Sequence, residues 1–191
     1  MRIIAGSSKG KTLFSPPLTT RPTSDRAREG LFSSLDSAFG GMEGLAFLDL
    51  FAGSGAVGVE ALSRGGREVI AVEQHAPTSA VAIKNFELVN NPAGKFTVVT
   101  APAARYLSTP HAEGFDIIFM DPPYELSNAE IESMLLSIHI NGLLKENGLI
   151  AIERRSKASP FSWSPAFELE KVRSYGQGSI FYGGRPVTVL P

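Results

Sequence analysis

The chain reads as an α/β domain built on a mostly parallel sheet, and three observations lead there. From residue 45 onward, apolar runs of strand length alternate with helical stretches. Strands are expected near 45–50, 68–73, 95–99, 115–120 and 147–153, and helices near 56–64, 77–90 and 128–140. Such alternation is the pattern of parallel strands joined by helices that cover both faces of a sheet. A glycine-rich turn joins the first of these strands to the first of these helices. The rhythm then breaks: 167–175 and 179–189 are extended and separated by Gly176-Gln177-Gly178, which fits a terminal antiparallel hairpin.

Before residue 45 the pattern is different. The first twenty residues are punctuated by Gly and Pro, with short extended pieces at Arg2–Ala5 and Lys11–Phe14. A turn near Ser7–Gly10 would pair them as a hairpin. Ser24 is placed to cap a helix running to about Phe39, with Ala27, Leu31, Leu35 and Ala38 on one face and Gly40-Gly41 as its stop. The organisation expected is an extension over 1–40, hairpin plus helix, followed by the main domain over 41–191, together making a single compact unit.

Composition narrows the function. At 191 residues the chain is long enough for one well-buried domain. There are no cysteines, so no disulfide framework, thiolate nucleophile or Cys-based zinc site is available. His75, His111 and His139 show no ligand spacing, so no metal is expected. No apolar run reaches membrane-span length and the start lacks a signal-peptide core, so the cytoplasm is the expected compartment and no membrane partner is expected. Net charge is only −1, but its distribution is uneven. Residues 1–30 hold six Lys/Arg against two acids, 31–150 hold six against fourteen, and 151–191 hold six against three. Basic ends around an acidic centre can present a positive face to a phosphate backbone.

Two motifs carry the chemistry. Asp121-Pro122-Pro123-Tyr124 follows the apolar run Phe115–Met120, at the mouth of a buried strand. A carboxylate acceptor, two residues without N–H groups and an aromatic ring suit an exocyclic amine on a flat heterocycle. Asp121 can accept an amine N–H, a carbonyl near Pro122 a second, and Tyr124 can stack on the base. The other motif is Phe47–Gly58, in which Gly53, Gly55 and Gly58 match G-x-G-x-x-G and Glu73 lies twenty residues beyond Gly53. In such a unit the glycines let a ligand approach the backbone at a helix start, and the acid takes ribose hydroxyls. Phe51, Ala52, Gly53, Ser54 and Gly55 are therefore expected at the cofactor. Asp49, inside the strand, is badly placed for a pyrophosphate but well placed for a cationic group such as the ammonium of S-adenosylmethionine. The carboxylate of that methyl donor would then lie near the N–H groups of Ala52 to Gly55.

Together the two motifs resemble the S-adenosylmethionine-dependent methyltransferases of exocyclic amines. Arg21 to Phe32, Met1 to Gly6, the Leu48–Gly58 loop and Asp121–Tyr124 resemble the RsmD family, which methylates the N2 amine of a guanine in 16S ribosomal RNA. The similarity runs from about residue 1 to 153. It implies a Rossmann-like class I methyltransferase with a seven-stranded mixed sheet in the order 3-2-1-4-5-7-6, six strands parallel and one antiparallel. The N-terminal extension would bind RNA. Catalytic roles would fall to Asp121, Pro122, Pro123 and Tyr124, and substrate contacts to Arg21, Thr23, Arg26, Arg154 and Arg155. The partner implied is 16S RNA within a partly assembled 30S subunit, with the enzyme acting as a monomer and releasing S-adenosylhomocysteine. Two stretches depart from the family. Thr100-Ala101-Pro102-Ala103 lacks the acid that holds the adenine amine, leaving apolar walls and the Ala103 N–H, and Tyr175-Gly176-Gln177-Gly178 replaces Tyr-Gly-Asp-Thr. Action on a DNA adenine N6 or a protein glutamine, or nicotinamide-dependent oxidoreduction, are the competing readings of the motifs.

Overall fold

The computed structural model describes residues 1–16, 25–156 and 160–186. Its elements run in chain order as α1 (Asp25–Phe39), β1 (Ala46–Asp49), α2 (Ala56–Ser63), β2 (Glu68–Glu73), α3 (Ala76–Phe86), β3 (Lys95–Thr100), α4 (Ala103–Leu107), β4 (Phe115–Met120), α5 (Asn128–Ile140), β5 (Leu144–Arg155), β6 (Glu168–Tyr175) and β7 (Gly178–Gly184). The strands form one sheet in the order β3-β2-β1-β4-β5-β7-β6. β1 to β5 pair in parallel, and β7 runs antiparallel between β5 and β6. That is the order and the six-plus-one pattern expected.

Burial explains which strands lie where. β1 is buried at every residue and β4 at all but Asp116, as strands covered on both faces must be. β3, at one edge, alternates far less and is largely exposed. Two cores result. One joins Phe47, Phe119 and Ala151 to α2, and to Ile3, Leu13, Leu31, Phe32 and Leu35 from the N-terminal segment. The other joins Leu48, Ile118, Met120 and Ile152 to Ile131, Leu135 and Ile138 of α5. α5 starts at a capping box: the Ser127 hydroxyl accepts from the Glu130 N–H, and the Glu130 carboxylate accepts from the Ser127 N–H.

The N-terminal pieces pair as a short antiparallel hairpin: Arg2 bridges Thr12, the Leu13 N–H donates to the Met1 carbonyl, Ile3 to Lys11 and Gly10 to Ile3. Several expectations change in detail. The N–H groups of Ile4 and Ala5 go to the two oxygens of Glu60, each at 2.8 Å, and Ser7 donates to the Ser63 carbonyl. The segment is thus a strap tied to α2. α1 buries Ala27, Arg28, Leu31, Phe32 and Leu35, whereas Ala38 is exposed. The expected cap, Ser24, lies outside the described residues. α4 adds a helix that the sequence pattern does not announce, because five residues carry too little periodicity to read. β5 begins at Leu144, three residues earlier than expected, beyond an irregularity between Phe115 and Ile117 of β4.

Gly6 sits at φ +82°, and a Cβ there would land on the Ser63 carbonyl. Gly10, at φ +88°, faces open space. Gly6→Ala should therefore cost roughly 2–4 kcal/mol, combining a left-handed backbone with overpacking. Gly10→Ala should cost only about 1–2 kcal/mol. Urea denaturation of both variants checks this, and equal losses would show that the strap does not seat on α2 as described.

Candidate functional site

A cleft of about 970 Å³ opens beyond the carboxyl ends of β1, β2, β4 and β5. This is where the strand order reverses and where ligands of open α/β sheets bind. Asp49, Phe51, Ala52, Gly53, Ser54, Glu73, Ala103 and Asp121 to Tyr124 all line it. Two motifs far apart in sequence therefore face one space. A smaller cavity of about 520 Å³ lies between Gly6, Glu43, Ser63 and Arg67 and contains none of these residues.

The glycine loop is more self-contained than expected. Gly53 (φ +52°) and Gly55 (φ +77°) turn the chain from β1 into α2. The Ala52 N–H donates to the Val72 carbonyl at 2.9 Å, Gly53 to a Glu73 oxygen at 2.9 Å and Gly55 to the Ala52 carbonyl at 2.7 Å. Three N–H groups expected to meet a cofactor carboxylate are thus already engaged. The other Glu73 oxygen accepts from the His75 N–H at 2.8 Å. A carboxylate has about four lone-pair sites, so Glu73 can brace the loop and still take hydroxyl groups. A Cβ on Gly53 would meet only open space, whereas Gly55 packs against Ala82 and Phe86. Gly53 serves the turn at the cleft edge, and Gly55 also serves close packing of the loop on α3.

Asn85 ties this loop to the strap. Its amide nitrogen donates to the Ser54 carbonyl at 2.8 Å and to the Phe14 carbonyl at 3.1 Å, and its oxygen accepts from the Phe14 N–H at 2.8 Å. Asn85 is fully buried. Met1, Ser15 and Pro16 consequently reach the cleft wall. Nothing in the sequence pattern announces a pairing of positions 71 residues apart.

Asp49 is the unusual group. It is 1% exposed, and neither carboxylate oxygen meets hydrogen-bond geometry with a partner among the described residues. Burial pushes its carboxyl up to about 8, and the Asp121 and Glu73 carboxylates add to that; the nearby N–H groups of Phe51 and Gly58 pull less strongly the other way. A buried acceptor left in this state fits a cationic ligand group. With Gly53, Glu73 and Ala103 around one cleft, the residues fit S-adenosylmethionine: Asp49 would take the ammonium, Glu73 the ribose and Ala103, which opens α4, the adenine.

The target-base side is partly as expected. Asp121 is half-buried, Pro122 buried, Pro123 exposed and Tyr124 half-buried. The Pro123 carbonyl accepts from the Leu126 N–H at 3.0 Å, closing a turn that aims Tyr124. The Arg155 guanidinium lies 4.0 Å from the centre of the Tyr124 ring. Such a contact fixes the ring and occupies one of its faces. Arg154 behaves otherwise. It is buried, and it donates to the Leu126 carbonyl at 3.0 Å, anchoring the same turn from behind. The structure gives it a place in the scaffold and not at an RNA surface. Arg26 is exposed on α1. Arg21 and Thr23 lie outside the described residues. Among the cleft-lining residues that sequence reasoning missed are Glu153, Tyr175 and Gly178, whose positions depend on how β5, β6 and β7 pair.

Asp49 makes a pH prediction. Its folded pKa is about 8 against an ordinary 3.8, so its share of stability is full below pH 4 and is lost as pH rises toward 8. The melting temperature of cofactor-free protein should fall across that window. Asp49→Asn should flatten the decline. Parallel curves for the two proteins would contradict this environment for Asp49.

Comparison with known proteins agrees with this geometry. A family model described as conserved hypothetical protein 95 matches residues 1–183. Ribosomal RNA small subunit methyltransferase D of Escherichia coli K12 is 36% identical over 172 residues, covering 86% of this chain and 81% of its own. The protein of that name from Haemophilus influenzae is 34% identical over 171 residues, covering 86% and 85%. The solved structure of yhhF from Escherichia coli superposes with a TM-score of 0.83 at 30% identity, covering 97% of each chain. A glycine loop, the buried Asp49 carboxyl and the Asp121–Tyr124 tetrapeptide on one cleft thus stand on a chain that, by match and by coverage, belongs to the RsmD family of S-adenosylmethionine-dependent methyltransferases.

Proposed function

We propose that the protein methylates the exocyclic N2 amine of a guanine in 16S ribosomal RNA, presented by a partly assembled small subunit. The observation that carries this reading is the shared cleft. Asp121–Tyr124 opens onto the same space as the glycine loop and Asp49, so a base on one side meets a methyl donor on the other. The relatives named for the small-subunit ribosomal RNA supply the RNA class.

When bound, S-adenosylmethionine supplies a methyl group on a sulfonium that leaves as a neutral thioether. What remains for the protein is alignment. The guanine amine is a poor nucleophile because its lone pair is delocalised into the ring. Asp121 and a carbonyl near Pro122 accept its N–H bonds and hold the nitrogen in line. Those bonds strengthen as positive charge develops on the nitrogen, so they favour the transition state over the ground state. Tyr124, with the Arg155 guanidinium over its ring, stacks on the base. The base must be unpaired or turned out of its helix to reach this site. In this reading the strap and α1 form the RNA-binding extension over 1–40. Exposed Arg26 contacts phosphate there, with Arg21 and Thr23 in the neighbouring segment. The enzyme works as a monomer in the cytoplasm.

With small subunits from cells lacking the protein as substrate, Asp121→Ala should lower methyl transfer by about 100- to 1,000-fold, the scale of one transition-state hydrogen bond. Cofactor affinity should change little. Tyr124→Phe should keep most activity, while Tyr124→Ala should lose roughly tenfold or more, because stacking needs the ring and not the hydroxyl. Radiolabelled methyl incorporation checks both residues. Unimpaired Asp121→Ala, or equal loss in both tyrosine variants, would overturn these roles.

A further inference from the structure

Resting on the guanine-N2 reading above, we infer that Glu153 makes the site specific for guanine by accepting the N1–H that lies beside the amine held by Asp121. Parallel pairing sets Met120 of β4 against Ile152 of β5, so Asp121, just past β4, and Glu153, still within β5, are the next residues toward the cleft on adjacent strands. Phe119 and Ala151 belong to the core face shared with Phe47, and alternation along each strand carries Asp121 and Glu153 onto that same face. Both line the cleft. Glu153 thus stands one strand further from the glycine loop than Asp121, on the side where the base must lie.

The position is also built for a carboxylate. Glu153 is half-buried at the end of the apolar run Leu149–Ile152 and pairs with Ile180 of β7. A Cβ on Gly178 would come within 2.8 Å of Glu153 Oε1. The glycine leaves that oxygen its place at the cleft wall.

The chemistry of the exocyclic amines selects one base. The amine of adenine has a ring nitrogen lone pair beside it at N1, and the amine of cytosine has one at N3. The amine of guanine is flanked by N3 on one side and by the N1–H on the other. Guanine alone sets a donor next to its amine. An ionised carboxylate only accepts. Glu153 therefore completes a hydrogen bond with guanine and opposes a lone pair with the other two bases. A site built to accept a hydrogen bond from the base discriminates against a ligand that lacks the donor. Glu153 does not touch the reacting nitrogen; it reads the edge beside it.

The test uses small subunits reconstituted on 16S RNA that carries either guanine or 2-aminopurine at the methylated position. 2-Aminopurine keeps the amine but replaces the N1–H by a lone pair. The wild-type enzyme should prefer guanine by at least about tenfold in kcat/KM, the scale of one hydrogen bond to a charged group. Glu153→Gln should lose about tenfold or more on guanine. Its amide can donate to the 2-aminopurine N1, so its preference should collapse or reverse. Loss of the base's O6 affects both enzymes alike, so the difference between their preferences isolates Glu153. Affinity for S-adenosylmethionine and the melting temperature should stay unchanged. A Glu153→Gln enzyme with wild-type preference would overturn the inference. So would a wild-type enzyme that methylates both bases equally, a comparison that stands even if the variant fails to fold. A wild-type enzyme inactive on the guanine subunit would sink the guanine-N2 reading itself, a result distinct from either.

Discussion

Strand register is the constraint on which the rest of this structure depends. Asp49 pairs with Phe119, and Phe119 pairs with Ala151. Because side chains alternate along a strand, this register puts Asp49, Asp121 and Glu153 on one face, and all three line the cleft. A slip of one residue would turn the whole set of one strand to the opposite face. Such a slip is resisted by burial on both sides, since β1 and β4 pack Phe47 and Phe119 into one core and Leu48 and Ile118 into the other. Three carboxylates lie near one cleft because apolar residues before them cannot be placed otherwise.

The N-terminal strap adds a second tie. Glu60 is fully buried, receives the Ile4 and Ala5 N–H groups, and also accepts from Arg64 Nε at 2.9 Å. Asn85 then joins the far end of the strap to the Ser54 carbonyl of the glycine loop. The segment leading toward the arginine-rich stretch is therefore mechanically continuous with the loop on the cofactor side of the cleft. Losing either buried anchor would leave polar groups without partners, which is costlier than the bond itself.

The motifs were legible in the sequence where rare residue types sit next to one another. Asp121-Pro122-Pro123-Tyr124 and the Gly53–Gly58 loop each carry their meaning within a few positions, and strand alternation is visible over long apolar runs. What pairing alone decides was hidden. Arg154 reads as a substrate contact and Arg28 carries no signal of its own, yet both are buried and donate to backbone carbonyls, Leu126 and Arg2 respectively. Glu153 is indistinguishable from any charged residue at a strand end until β7 is placed beside it. The engaged N–H groups of the glycine loop could not be foreseen either, because their acceptors lie on β2 and within the turn itself.

The proposed function gives Asp121 the task of holding a guanine N2 amine of 16S RNA for methylation. Nucleoside-resolved mass mapping of 16S RNA, from cells lacking the protein and complemented with wild-type or Asp121→Ala protein, tests that role most directly. One N2-methylguanine should disappear on deletion, return with the wild-type protein and stay absent with the variant. Unchanged N2-methylguanine in the deletion strain would contradict it.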